Sequence, residues 1–156
     1  MKKSTRNTYL FWISLCELTG IFAGLLNRNG INIFLSQAKQ PSFMPPGILF
    51  PIIWTILYLL MGIGIARVQL YGQHTKRATG QFALQLLFNF AWPLVFFRAK
   101  AYGYALVLLI ILWVLVLIMA LEFEKQDEKA GLLQIPYLLW LGFAAVQNLA
   151  VYLLNN

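Results

Sequence analysis

The sequence predicts an all-α integral membrane protein: a single domain over residues 1–156 that forms a bundle of five transmembrane helices, with a long lid loop between the first two. Hydrophobic residues make up 60% of the 156 residues and charged residues only 11%, whereas about 25% are charged in soluble domains. The apolar residues form five runs near the ~20 residues with which a helix crosses a bilayer. Both faces of each run are apolar, which excludes the alternation of a transmembrane β-strand.

The five helices are predicted at about 8–26, 47–71, 79–97, 102–121 and 132–154. The fourth is almost purely aliphatic and is the clearest of the five. The third and fifth carry amides and a proline within their apolar runs, namely Gln81, Gln85, Asn89, Pro93, Pro136, Gln147 and Asn148. Short connections at 98–103 and 122–131 predict that helices three, four and five are antiparallel neighbours.

The predicted connection at residues 27–46 is too long for a simple turn. Pro41, Pro45 and Pro46 remove three amide donors, so the segment cannot form a lipid-exposed helix or strand. We therefore expect it to fold over the mouth of the bundle as a lid, with Phe43 pointing down as an apolar plug. The alternative is a loose surface loop.

Several classes of chemistry are disfavoured by composition. The single Cys16 excludes an internal disulfide, and the single His74 leaves too few soft ligands for a structural zinc site. We expect no metal and no cofactor. The net charge of +7 is spread between the apolar runs, which favours contact with membrane lipid headgroups and disfavours nucleic acid as a partner.

Aromatic and amide side chains recur at helical spacing in three of the predicted spans. The stripes are Trp54 and Tyr58; Asn89, Trp92 and Phe96; and Tyr137, Trp140, Ala144 and Asn148. If the three stripes face one another, they enclose an aromatic pocket suited to a flat, mostly apolar ligand with polar edges. The alternative is that the same residues only pack the helices together.

Glu17 is an acid within the first predicted span. Such a group either relays protons, anchors a ligand, or is a protonated carboxyl group bonded to a neighbouring helix. The sequence contains no second intramembrane acid or base to pair with it, which weakens the case for a proton pump.

Three blocks of sequence resemble one known family. They are Pro41-Ser42-Phe43-Met44-Pro45-Pro46 followed by Trp54-Thr55-Ile56-Leu57-Tyr58; Asn89-Phe90-Ala91-Trp92-Pro93; and Pro136-Tyr137-Leu138-Leu139-Trp140. Their order and spacing resemble the translocator protein family, the tryptophan-rich sensory proteins also called peripheral-type benzodiazepine receptors. The match covers almost the whole chain.

The resemblance implies a five-helix, multi-pass protein of a bacterial cell membrane that forms homodimers. It also implies a pocket that is closed by the first loop and binds porphyrins, sterols, or isoquinoline and benzodiazepine drugs. The expected ligand-binding residues are Phe43, Pro46, Trp54, Tyr58, Asn89, Trp92, Tyr104, Trp140, Ala144 and Asn148. Trp54 and Trp140 correspond to a tryptophan pair that bacterial relatives use in light-dependent porphyrin degradation.

Three functions follow as hypotheses. The first is a membrane receptor or sensor for tetrapyrroles such as protoporphyrin IX, with Asn89 and Asn148 free for the polar edges of the ligand and with Arg28 and Lys39 near its propionates. The second is an enzyme that degrades porphyrin with light and oxygen through Trp54 and Trp140, and the third is a porphyrin or lipid transporter. The C-terminal residues 152–156 lack the Lys or Arg of the proposed cholesterol motif, so porphyrins are favoured over sterols.

Overall fold

The computed structural model describes residues 3–156, and within this range the chain is helical without any β-strand. The helices are α1 (Lys3–Gln37), α2 (Leu49–Tyr71), α3 (Thr75–Pro93), α4 (Tyr102–Gln126), α5 (Glu128–Leu132) and α6 (Ile135–Asn155), with a π-helical turn (Leu94–Arg98) after α3. By length and composition, five helical segments can cross a membrane: α1, α2, α3 with its π-helical turn, α4, and α5 together with α6. The predicted class of a five-span helical membrane protein is confirmed.

The first helix is longer than predicted, and the connection after it is shorter. The first helix was predicted to end at residue 26 and the connection to begin at Asn27, yet α1 continues to Gln37. Asn27 Nδ2 donates a hydrogen bond to the Ala23 carbonyl 2.8 Å away within the helix. A Cβ atom on Gly30 would lie 2.6 Å from the carbonyl oxygen of Phe97. Glycine is therefore needed for close helix packing here, and this packing outweighs the weak helix propensity of Asn and Gly.

The connection consists of residues 38–48 and is attached to α6. The backbone N–H of Lys39 donates to Asn155 Oδ1 at 2.9 Å, and Asn155 Nδ2 donates to the Lys39 carbonyl at 2.8 Å. Further along the loop, Gln147 Nε2 lies 3.3 Å from the sulfur of Met44. These bonds hold the loop against the bundle, which is contrary to a loose surface loop.

The π-helical turn follows directly from Pro93, which has no N–H to continue the regular ladder. The Ala99 N–H bonds to the Leu94 carbonyl at 3.0 Å, five residues back. Because this turn is wider than an α-helical one, it carries Phe96 and Phe97 round to the end of α1, where both rings contact Phe34 at centroid distances of 5.2 and 5.5 Å.

The fourth helix runs past its predicted end at residue 121 to Gln126, and the predicted loop at 122–131 contains the short helix α5. Asp127 caps α5 by accepting from the Ala130 N–H at 2.8 Å. Arg67 of α2 also donates to both carboxylate oxygens, at 2.7 and 2.9 Å. These bonds from Arg67 hold the pKa of the Asp127 carboxyl below its usual value. One carboxylate thus joins α2 to the α4–α5 connection.

Candidate functional site

A cavity of about 470 Å³ lies between α1, α2, α3 and the loop. We call it the outer cavity. Its walls are mainly apolar and aromatic: Gly20, Gly24, Phe34 and Leu35 come from α1, Phe50, Trp54 and Tyr58 from α2, Trp92 from α3, and Gln40, Met44, Pro45 and Gly47 from the loop. Its volume falls in the range of about 300–1,000 Å³ that is typical of small-molecule sites.

A second, much smaller space of about 20 Å³ lies towards α6. We call it the inner cavity. Trp140, Ala144, Gln147 and Asn148 of α6 line it, together with Phe34, Met44, Phe50, Trp54, Trp92, Phe96 and Phe97. Its volume is close to that of a single water probe, so the aromatic side chains around it are nearly close-packed.

The predicted aromatic stripes do meet, but in two cavities. Trp54, Tyr58, Asn89 and Trp92 line the outer cavity. Trp140, Ala144 and Asn148 line only the inner cavity, while Trp54 and Trp92 line both. A ligand in the outer cavity therefore lies against the indoles of Trp54 and Trp92, and it is one layer of side chains away from Trp140.

Three predicted site residues lie elsewhere. Phe43 is 48% exposed and lines neither cavity, because the Met44 N–H bonds to the Pro41 carbonyl and places Ser42 and Phe43 at the corner of a turn. Met44 points inwards instead and occupies the place predicted for the plug. Pro46 also lines neither cavity; its carbonyl accepts from the Leu49 N–H at the start of α2.

Tyr104 is 78% exposed on the outer side of α4. The helix begins at Tyr102, and its buried face starts with Ala105 and Leu109, so position 104 points away from the bundle. The aromatic residue of this turn that faces the site is Tyr102, whose ring lies 5.0 Å from that of Phe96.

The amides predicted to be free for a ligand are used in bonds between helices. Tyr58 donates to Asn89 Oδ1, Asn89 Nδ2 donates to the Tyr137 hydroxyl at 2.7 Å, and Tyr137 donates to Gln85 Oε1 at 3.1 Å. These four buried side chains form a network that links α2, α3 and α6. Asn89 therefore holds the inner end of the outer cavity in shape.

Asn148 plays a similar part beside the inner cavity. Its Oδ1 accepts from the Trp92 indole at 3.1 Å, and its Nδ2 donates to the Tyr102 carbonyl at 2.8 Å. The bond fixes the orientation of the Trp92 ring, which stacks on Phe96 at 5.0 Å. The expectation that Asn148 is free to bind the polar edge of a ligand is wrong in this structure.

Residues of α1 are the part of the site that the predicted pocket lacked. Glu17, Gly20, Gly24, Asn27, Ile31 and Phe34 follow one another at intervals of three or four and line the outer cavity. This spacing marks one face of a helix. The full face extends to Phe34, and it was missed because the first helix was predicted to end at residue 26.

The outer cavity opens sideways between α1 and α2. Several residues that line it are also exposed on the outside of the bundle, among them Ile21 (57%) and Leu35 of α1, and Pro51 and Thr55 of α2. A Cβ atom on Gly24 would meet no other atom within 4 Å. The opening therefore lies between two helices that are both candidate spans.

Comparison with known proteins agrees with this architecture. The family model described as TspO/MBR family matches residues 12–153. The chain is 31% identical to the tryptophan-rich protein TspO of Chlorobaculum tepidum, over 95% of this chain and 96% of that protein. It is 38% identical to the tryptophan-rich sensory protein of Cereibacter sphaeroides, over 94% and 90% of the two chains. For the human translocator protein the identity is 31%, over 92% and 88%.

These matches extend over nearly the whole length of the chain and of its relatives. The bacterial relatives support the predicted location in a bacterial membrane. The region matched by the family model covers α2, α3 and α4 in full and most of α1 and α6, and it includes the loop after α1 and the tryptophans of α2, α3 and α6. The chain is an integral membrane protein and belongs to the TspO/MBR family.

Proposed function

We propose that the protein is a membrane receptor or sensor that binds tetrapyrroles such as protoporphyrin IX in the outer cavity. The observation that carries this proposal is the aromatic lining beneath the loop: Trp54, Tyr58 and Trp92 line the cavity, and a planar macrocycle stacks on aromatic rings. The name of the Cereibacter sphaeroides relative, a tryptophan-rich sensory protein, is in line with a sensing role.

The charged edge of a porphyrin fits the loop end of the cavity. Lys39 of the loop is exposed and next in sequence to Gln40, and Arg28 of α1 is exposed and next to Asn27; Gln40 and Asn27 both line the cavity. Propionates near these cations would stay in water, while the apolar macrocycle is buried among the rings. Planar isoquinoline and benzodiazepine drugs fall within the same proposal because they are flat and mostly apolar. Sterol binding and a homodimer stay predictions from the family.

The test is the affinity for protoporphyrin IX in lipid nanodiscs, measured by the shift of the porphyrin absorption band and by quenching of tryptophan fluorescence. We expect saturable binding, and we expect Trp54→Leu to weaken it. Stacking on an aromatic ring contributes about 0.5–1.5 kcal/mol beyond the area buried, which is a factor of about two to twelve in Kd.

The matched control is Trp12→Leu. Trp12 lines neither the outer nor the inner cavity and packs edge-on against Phe82, so its loss should leave the Kd for protoporphyrin unchanged. Non-saturable quenching, or equal effects of the two substitutions, would contradict the proposal.

Entry from the bilayer gives a separate prediction. Gly24→Leu adds a side chain where the structure has open space, at the opening between α1 and α2. We expect both the association and the dissociation rate of protoporphyrin to fall about tenfold, within the spread usual for variants of one site, so that Kd changes little. The control is Gly80→Leu, because Gly80 of α3 also faces open space but does not line the cavity. A weaker Kd with a faster dissociation rate would show that Gly24 faces bound ligand and not its entrance.

Light- and oxygen-dependent degradation of the bound porphyrin is the second candidate. It is favoured by the joint lining of the inner cavity by Trp54 and Trp140, and by the buried indole N–H of Trp140, which has no hydrogen-bond partner within residues 3–156. Illumination with a tenfold excess of protoporphyrin in air separates the two functions. Product beyond one equivalent per chain indicates an enzyme, and product capped at one equivalent indicates a receptor whose ligand bleaches.

A further inference from the structure

The outer cavity has an acidic side chain on its wall, although the protein as a whole is basic. The chain carries a net charge of +7, yet Glu17 is the one acidic or basic side chain among the described residues that line the cavity. The cavity therefore combines one carboxyl group with aromatic rings.

The carboxyl group of Glu17 has no cationic partner among the side chains that the structure describes. For residues 4–156 the ion pairs join Arg67 to Asp127, and Arg77 and Lys125 to Glu122, and none includes Glu17. Among the described side chains, none on a neighbouring helix donates a hydrogen bond to Glu17 either, so a carboxyl group bonded between helices is not the role seen here. An acid within a membrane span is costly unless something compensates it.

A second acceptor on the same wall is also without a partner. Asn27 lines the outer cavity and is 1% exposed. Its Nδ2 is bonded within α1, whereas its buried Oδ1 accepts no hydrogen bond from the described part of the chain. A buried polar atom of this kind is rare in folded proteins, and here it lies beside space that a ligand can fill. Glu17 and Asn27 are ten residues apart, so they mark two places about 15 Å apart along the helix axis.

We propose that the α1 wall of the outer cavity binds a planar aromatic cation with amine donors at its ends, Glu17 being the counter-ion and Asn27 Oδ1 a second acceptor. The opposite walls suit the same ligand, since Trp54, Tyr58 and Trp92 line them and aromatic rings attract cations through the ring quadrupole. A ligand cation near Glu17 also favours the ionised form of the carboxyl group. This inference goes beyond tetrapyrrole binding, because it uses the same cavity for a ligand of opposite charge.

The experiment compares two probes of equal shape in phosphatidylcholine nanodiscs, which carry no net lipid charge. Proflavine is a planar tricyclic cation with an amino group at each end, and anthracene is its neutral counterpart. We expect Glu17→Gln to weaken proflavine binding about tenfold, the effect of losing one charge-assisted hydrogen bond, and Asn27→Leu to weaken it about twofold to fivefold, the effect of losing a neutral one. Anthracene binding should change by less than about twofold in both variants.

The control for the loss of an acid is Glu124→Gln. Glu124 is exposed near the end of α4 and does not line the cavity, so proflavine binding should match that of the parent protein. An unchanged Kd for proflavine in Glu17→Gln would overturn the proposal. Equal weakening of proflavine and anthracene would also overturn it, because Glu17 would then only support the shape of the cavity.

Protoporphyrin IX distinguishes this proposal from the function proposed above. Its propionates are repelled by Glu17, so Glu17→Gln should leave its affinity unchanged or raise it, while proflavine binding falls. Opposite responses of the two ligands support the cation site. A protein that does not bind protoporphyrin but discriminates proflavine from anthracene through Glu17 would refute tetrapyrrole binding and support the cation site.

Discussion

Replacing Asn89 by leucine will lower the free energy of unfolding by about 2–4 kcal/mol, because each buried hydroxyl or amide left without a partner costs about 1–3 kcal/mol. The side chain is 3% exposed and bonds both Tyr58 and Tyr137. Leucine fills a similar volume but accepts and donates nothing, so the Tyr58 hydroxyl loses its partner and the Tyr137 hydroxyl keeps only Gln85. Unfolding of the purified protein in mixed micelles, with increasing sodium dodecyl sulfate, measures the change.

Gln81→Leu is the matched control for Asn89→Leu. Both are amides of α3, but Gln81 Oε1 is buried without a hydrogen-bond partner among residues 3–156. The buried Gln81 oxygen costs free energy because it is neither hydrated nor hydrogen-bonded. Replacing the side chain by leucine removes this cost, so we expect an unchanged or slightly higher free energy of unfolding. If the two substitutions destabilise the protein equally, the bonds of Asn89 do not contribute to the stability of the bundle.

Replacing Met44 by alanine will release bound protoporphyrin about tenfold to a hundredfold faster, since burying a methionine side chain contributes about 1.5–3 kcal/mol. Met44 lines both cavities and is held by Gln147 of α6. It therefore covers the ligand once the ligand is bound. Association should slow much less, because the side chain contributes mainly after entry. Stopped-flow dissociation of protoporphyrin into excess apomyoglobin gives the rate.

Phe43→Ala is the matched control for Met44→Ala, because it also removes a large side chain from the loop. Phe43 is adjacent in sequence and larger, yet it points outwards from the turn, so we expect an unchanged dissociation rate. The outcome that would contradict the structure is a faster release from Phe43→Ala than from Met44→Ala. That result would restore Phe43 as the plug predicted from the sequence.

Much of the candidate site was predictable because it follows from helical periodicity. Trp54 and Tyr58 are four residues apart, as are Trp140 and Ala144, and each pair lies on one inward face of its helix. The wrong predictions concern side chains whose direction is set by a turn and not by a helix. Phe43 and Met44 differ by one position in a loop without a repeat, and only the bond from Met44 to Pro41 decides which of them faces the cavity.

The hydrogen-bond partners of polar side chains also could not be predicted from local sequence. A sequence shows that Asn89 and Asn148 lie within spans, where an amide needs a partner. It does not show whether that partner is a ligand or another helix. The approach of Tyr58, Tyr137 and the Trp92 indole in three dimensions assigns both amides to the protein. Glu17, in contrast, takes part in none of the ion pairs formed by residues 4–156.

The five spans, the family and the aromatic character of the site could be predicted from the amino-acid sequence, because length, hydropathy and residue spacing act within one helix at a time. The tertiary structure decided how far α1 extends, which loop residue covers the cavity and which polar groups stay available to a ligand. The physical reason is close approach between elements: α1 continues through Gly30 because only glycine allows contact with the Phe97 carbonyl. That contact partner lies 67 residues away along the chain, beyond the range of any local pattern.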